Sequence, residues 1–124
     1  MSKQEADMPW GKEMLPDAMP WCDARMVEHG EYHTDRLKEY LTDFYKDRVD
    51  PTLEMENGAR SLWGNYVDWL TAYMTNRGLH RPQKPKLYRL TPLGEELAAG
   101  MRSGKITDPV EWVEAKYAER RRAA

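Results

Sequence analysis

Between Ser61 and Gly78 the chain reads SLWGNYVDWLTAYMTNRG, and its apolar and polar positions separate cleanly at helical spacing. At 100° per residue Trp69, Leu62, Tyr73, Tyr66, Leu70, Trp63, Met74 and Val67 share an arc of about 160°. Ser61, Gly64, Asn65, Asp68, Thr71, Ala72, Thr75 and Asn76 fill the other side. The apolar arc is rich in aromatic and methionine side chains, so it carries much of the buriable area of the chain. This predicts the central core helix of one small domain, stopped at Gly78 by a left-handed residue.

The same reading extends in both directions. Thr34–Val49 is expected to be helical, capped by Thr34 with Asp35 in its first turn. Its apolar arc is Tyr40, Phe44, Leu37, Leu41 and Tyr45, and it ends at Asp50-Pro51. Thr52–Glu56 alternates weakly and reads as a short strand, followed by a tight turn at Asn57-Gly58. LHRPQKPK, after Gly78, has two prolines and no apolar period, which predicts a loop. KLYRL (Lys86–Leu90) predicts a strand, with Leu87 and Arg89 on one face and Tyr88 and Leu90 on the other. Thr91-Pro92 opens a further helix, with Leu93, Leu97 and Met101 as its stripe and Gly100 and Gly104 as its stops. Asp108-Pro109-Val110-Glu111 has the spacing of another helix start. In that last helix Val110, Val113 and Tyr117 form a thin stripe, Trp112 points nearly opposite, and Arg120-Arg121-Arg122 complements the dipole.

Residues 1–33 read differently. Met8-Pro9-Trp10 recurs as Met19-Pro20-Trp21, and three prolines argue against a continuous helix. The expectation is a partly ordered N-terminal arm (1–33), a helical winged-helix-like domain (34–105) and a C-terminal helix (106–124). The fold class is mainly α: a small helical bundle of helix-turn-helix or winged-helix type, with at most a short two-stranded sheet. Trp10 and Trp21 either fold back as lids on the core or form a paired motif that docks in a partner's groove.

Composition changes this picture little. The chain has 124 residues, 32 % of them charged, and no apolar run long enough to span a bilayer. One cysteine, Cys22, leaves no internal disulfide framework, and a cytoplasmic location is the simplest expectation. Charge does matter. The formal net charge of −2 hides an excess of acid in residues 1–58 and a basic segment in residues 77–105, where seven Lys and Arg stand against two Glu. Such segregation speaks to partners, although two solvated faces that attract one another would read the same way.

Candidate chemistry is sparse. Cys22, His29 and His33 are the only soft-ligand cluster; Gly30 interrupts it and no second cysteine completes it, so ordinary histidines are expected and no metal or cofactor is implied. No nucleophile elbow, phosphate loop, zinc-protease helix or dinucleotide turn is present, and no catalytic residue is assigned. The best signal is the basic stretch Arg77, His80, Arg81, Lys84, Lys86 and Arg89, with Tyr88 available to stack and Arg102 and Lys105 in support. Such a stretch suits phosphates, with strongly salt-dependent binding.

Leu62-Trp63-x-x-Tyr66-x-x-Trp69, followed by Leu90-Thr91-Pro92-Leu93-Gly94-x-x-Leu97-x-x-Gly100, resembles the helical winged module at the C-terminal end of phage and plasmid primase–helicases. The resemblance covers about residues 36–100. It implies a nucleic-acid-binding, replication-associated accessory role in a phage-like setting. Two features depart from it: the connector before Thr91 is long and contains Pro82 and Pro85, and the helix after Thr91 is expected to expose Glu95, Glu96 and Ala98, which suit neither phosphates nor base edges. Two functional expectations therefore stand. One is non-specific nucleic-acid binding through the basic stretch. The other is a non-enzymatic protein-interaction module using the Met-Pro-Trp arm, the acidic helix or Trp112, with a homodimer compatible with either.

Overall fold

The computed structural model describes Pro9, residues 11–48 and residues 62–123. The expected strand at Thr52–Glu56, the turn at Asn57-Gly58 and Trp10 lie outside these residues. The fold is mainly α. A 3₁₀ turn (Gly11–Met14) leads into α1 (Leu15–His29), β1 (Tyr32–His33) and α2 (Thr34–Phe44). Then come α3 (Leu62–Asn76), β2 (His80–Lys84), β3 (Leu87–Leu90), α4 (Pro92–Arg102) and α5 (Pro109–Ala123). Among the described residues the sheet is antiparallel, in the order β1-β3-β2, with three strands where at most two were expected.

α3 is the core helix that its pattern predicts. Trp63, Tyr66, Val67, Leu70 and Met74 are buried, and the chain turns out of the helix at Gly78 with φ +76°. Trp69 departs from expectation, with 40 % of its surface exposed. It stacks on Tyr66 at 5.3 Å, and its Cβ side lies against Gly11. The element covering that part of the helix is a single 3₁₀ turn, too small to enclose an indole.

The N-terminal segment is the larger correction. Instead of a proline-broken arm, residues 15–29 form a continuous helix whose Leu15, Ala18, Met19 and Cys22 belong to the core, with Met14 just ahead. Pro16 sits in the first turn, where its missing N–H would have no intrahelical partner anyway. Pro20 forgoes one bond only, to the carbonyl of Pro16, and the buried apolar side chains around it outweigh that loss. Gly30, at φ +74°, ends α1 and returns its N–H to the Met26 carbonyl.

α2 begins at the expected cap residue itself, and its cap lies one residue earlier. The Asp35 N–H donates to His33 Nδ1 (3.1 Å), so His33 caps the helix and Thr34 is its first residue. Leu37, Leu41 and Tyr45 are buried, whereas Phe44 is half exposed at the C-terminal end. Trp63 Nε1–H donates to Thr42 Oγ1 (2.8 Å), tying α3 to α2.

The expected loop after Gly78 is a strand. β2 holds Pro82, which a sheet tolerates only where no partner needs its N–H, and β2 lies at the sheet edge. The hairpin closes over Pro85 and Lys86. Proline supplies the first turn position, and Lys86, at φ +66°, occupies the left-handed one, as a type II turn requires.

α4 starts as read: the Gly94 N–H donates to Thr91 Oγ1 (3.1 Å), with Pro92 in the first turn. Gly100 does not stop it. It lies inside the helix, where a side chain would strike Ile106, and the chain turns at Gly104 instead. α5 is capped by Asp108, whose Oδ1 accepts from the Glu111 N–H (3.0 Å).

Candidate nucleic-acid interface

The hairpin β2–β3 sorts the basic stretch into two faces. His80 pairs in register with Leu90, and Arg81 with Arg89. His80 and Leu90 are buried and Tyr88 is half buried, so that face packs inward; Arg81, Lys84, Lys86 and Arg89 are exposed. The strand period of two therefore puts two arginines side by side, facing away from the core. Arg81, Lys84 and Arg89 have no acidic partner among the described residues. A cleft of about 530 Å³ beside them is lined by Arg81, Gln83, Arg89, Leu90, Pro92 and Glu95, and Glu95 forms no ion pair with either arginine.

Lys86 is partly committed. Its carbonyl accepts from the Thr34 N–H (2.8 Å), and its Nζ lies 3.5 Å from Asp35, so it pins the hairpin tip to the start of α2.

Four residues of the expected set are used elsewhere. His80, only 1 % exposed, is a core residue. Its Nδ1 faces the Tyr32 hydroxyl at 2.6 Å, and its Nε2 lies 3.0 Å from the Thr71 carbonyl and 2.9 Å from Thr75 Oγ1. A carbonyl can only accept, so the proton sits on Nε2 and Tyr32 donates to Nδ1. Burial pushes its pKa down to about 4, so the ring is neutral and cannot answer a phosphate at physiological pH. Tyr88 packs its ring 4.2 Å from the His80 ring and is no open stacking platform. Arg77 donates to both carboxylate oxygens of Glu114 (2.7 and 3.2 Å) and lies 3.9 Å over the Tyr117 ring, joining α3 to α5. The bond from Arg77 holds the Glu114 carboxyl below the usual carboxylate range. Arg102 bridges α4 to α1 through Asp23 (3.1 Å). Lys105 is exposed beyond α4.

The α5 tail was not part of the expected interface. Arg120 Nη2 donates to the Arg77 carbonyl (2.7 Å) at the end of α3, and its guanidinium fills the space beside Gly78. Arg121 and Arg122 follow it, both exposed. Some forty residues separate Gly78 from Arg120, and no periodicity within either helix signals that they meet.

The expected partner-binding tryptophans divide. Trp21 is half buried, stacked on Tyr40 at 5.9 Å and edge-on to Tyr32 at 6.0 Å. It lines a groove of about 760 Å³ between α1 and α2. Trp112 is half buried against the core, with Lys116 Nζ 5.5 Å over its ring. Cys22, His29 and His33 do not converge: Cys22 is in the core beside Tyr32, His29 is exposed, and His33 caps α2. Among the described residues no group of three or more His, Cys, Asp or Glu is placed to hold a metal ion.

No helix among the described residues is long and apolar enough to cross a membrane. No family model matches the chain, and neither do any curated protein or solved structure.

Proposed function

We propose that this chain is a winged-helix-like module that binds nucleic acid through its phosphates, with β2–β3 as the wing. The order α1-β1-α2-α3-β2-β3, with the sheet ordered β1-β3-β2, supports that reading of the fold. The single observation that carries the function is the cross-strand pair Arg81–Arg89, with Lys84 beyond it. Like charges set directly opposite on a ladder cost stability. Here they stand outward with no ion-pair partner among the described residues, and a phosphate backbone is the anion that would supply one. The role is binding rather than catalysis. Sequence readout is not part of it, because α3 offers Asn65, Asp68, Ala72 and Thr75 but no arginine for base edges. The accessory role in phage-like replication rests on the sequence resemblance alone.

The test is fluorescence anisotropy with a labelled 24-base-pair DNA at 50 and 200 mM salt. Micromolar binding at the lower salt should weaken at least tenfold at the higher and disappear in Arg81→Glu/Lys84→Glu. Absence of binding by the unaltered protein at 50 mM would remove the reading. A second reading, a protein-interaction module, draws on the α1–α2 groove, where Trp21 and Tyr40 stand partly open, with the half-exposed Phe44 beside Tyr40 at 5.8 Å. Loss of partner capture on Trp21→Ala, with the hairpin variants unaffected, would favour it.

A further inference from the structure

We infer that the α5 tail and the hairpin form one phosphate-binding track, and that the track is built for duplex DNA rather than single strands. The inference rests on the proposed nucleic-acid reading and extends it to a second element and a substrate class.

The tail's position follows from two contacts. Arg120 caps the end of α3 through the Arg77 carbonyl and packs on Gly78. β2 begins two residues after Gly78, so Arg120 stands at the foot of the hairpin. Arg81 is three residues from Gly78, a reach of about 10 Å along extended chain. From there the strand carries the charge to Lys84 over another 10 Å or so. Arg121 and Arg122 continue the track at its other end. Arg121 lies 5.7 Å over the Tyr117 ring, a contact that leaves its donors available. Neither it nor Arg122 has an acidic partner among the described residues. Glu119 is the nearest acid in sequence and makes no ion pair with them.

The substrate class follows from what the track lacks. Proteins that hold single strands add aromatic faces on which bases stack. On the hairpin the only aromatic residue is Tyr88, which packs inward on His80. On the tail the one aromatic residue is Tyr117, whose ring is covered by the guanidinium groups of Arg77 (3.9 Å), Arg121 (5.7 Å) and Arg120 (6.0 Å). Among the described residues the track is thus cationic and offers no open ring, which suits a backbone whose bases are already paired. β3 also pairs with β1, and Lys86 pins the hairpin tip to α2, so the outward Arg81–Arg89 face of the sheet edge, not a ribbon inserted in a groove, is what would meet the duplex backbone.

The test compares the 24-base-pair DNA duplex with a 24-nucleotide single strand, using the unaltered protein, Arg121→Gln/Arg122→Gln and Arg81→Gln/Arg89→Gln. The duplex should bind at least tenfold more tightly than the strand. Each double variant should lower the slope of log affinity against log salt by about 2, since each removes two phosphate contacts. Equal affinity for the single strand would overturn the duplex assignment. An unchanged slope in Arg121→Gln/Arg122→Gln, with the slope lowered in Arg81→Gln/Arg89→Gln, would overturn the tail's part while leaving the hairpin reading intact. Failure of all three proteins to bind would remove both.

Discussion

Gly94 shows how much one residue can decide. A side chain there would collide with the Leu79 carbonyl oxygen and crowd Leu90. That carbonyl is already engaged by the Thr91 N–H (3.0 Å), while Thr91 Oγ1 donates to the Gly78 carbonyl and accepts from Gly94. The start of α4 is thus locked to the foot of β2 with no room for a methyl group. Gly94→Ala should cost roughly 2 kcal/mol or more, the range of overpacked cores. In the same helix, Ala99→Ser at an exposed position should stay within about 0.5 kcal/mol. Urea midpoints at constant slope measure both, and equal midpoints would refute the close approach. The glycine's place in the LTPLG run was legible in the sequence, but what it makes room for was not. His80 is the opposite case. In sequence it is one more basic residue in a basic run, and only the strand period, applied to a segment that two prolines made look like a loop, would have turned it inward.

At the scale of elements, helices with a broad apolar arc were legible, and so were those with a clear cap. α3, α4 and the start of α5 needed no tertiary knowledge. α1 is hidden in the sequence by its prolines, although near a helix start proline removes little. β2 is hidden for a related reason: proline excludes a central strand, not an edge. The place of α1 in the core can be checked chemically. Cys22 is fully buried, and burial pushes its thiol up to about 12. A thiol with so little thiolate, and no path to solvent, reacts only when α1 opens. Native protein at pH 8 should therefore resist a disulfide reagent such as dithionitrobenzoate for hours and react within minutes in denaturing urea. Labelling at the rate of a free thiol under native conditions would mean that α1 is the loose arm its prolines suggested.

For the molecule as a whole, the sharpest expectation concerns acid. His80 sits where three parts of the fold meet: Tyr32 on β1, Thr71 and Thr75 on α3, and Tyr88 on β3. Of these, Tyr32 is held far above its ordinary range, first by burial, so it supplies no negative charge. In the unfolded chain the imidazole takes up a proton near pH 6.5, but in the fold only near pH 4. Its contribution to stability is therefore fully present above pH 6.5 and is lost as the pH falls from there to about 4. The slope approaches 1.4 kcal/mol per pH unit, for a total of about 3 kcal/mol. Glu114 acts in a lower window. Its folded pKa lies below the ordinary carboxylate value, so its bridge to Arg77 and Tyr73 holds above that value and is lost only as the pH falls further. The two windows belong to different junctions, the sheet against α3 and α5 against α3. Urea unfolding between pH 7 and 3 should show the first decline in the unaltered protein. His80→Gln, less stable at pH 7 because its hydrogen bonds are imperfectly replaced, should be nearly flat between pH 6.5 and 4.5. Glu114→Gln should keep the upper decline and soften the one below. A His80→Gln profile parallel to that of the unaltered protein throughout would show that the imidazole is not the buried neutral joint on which the sheet and its hairpin are hung.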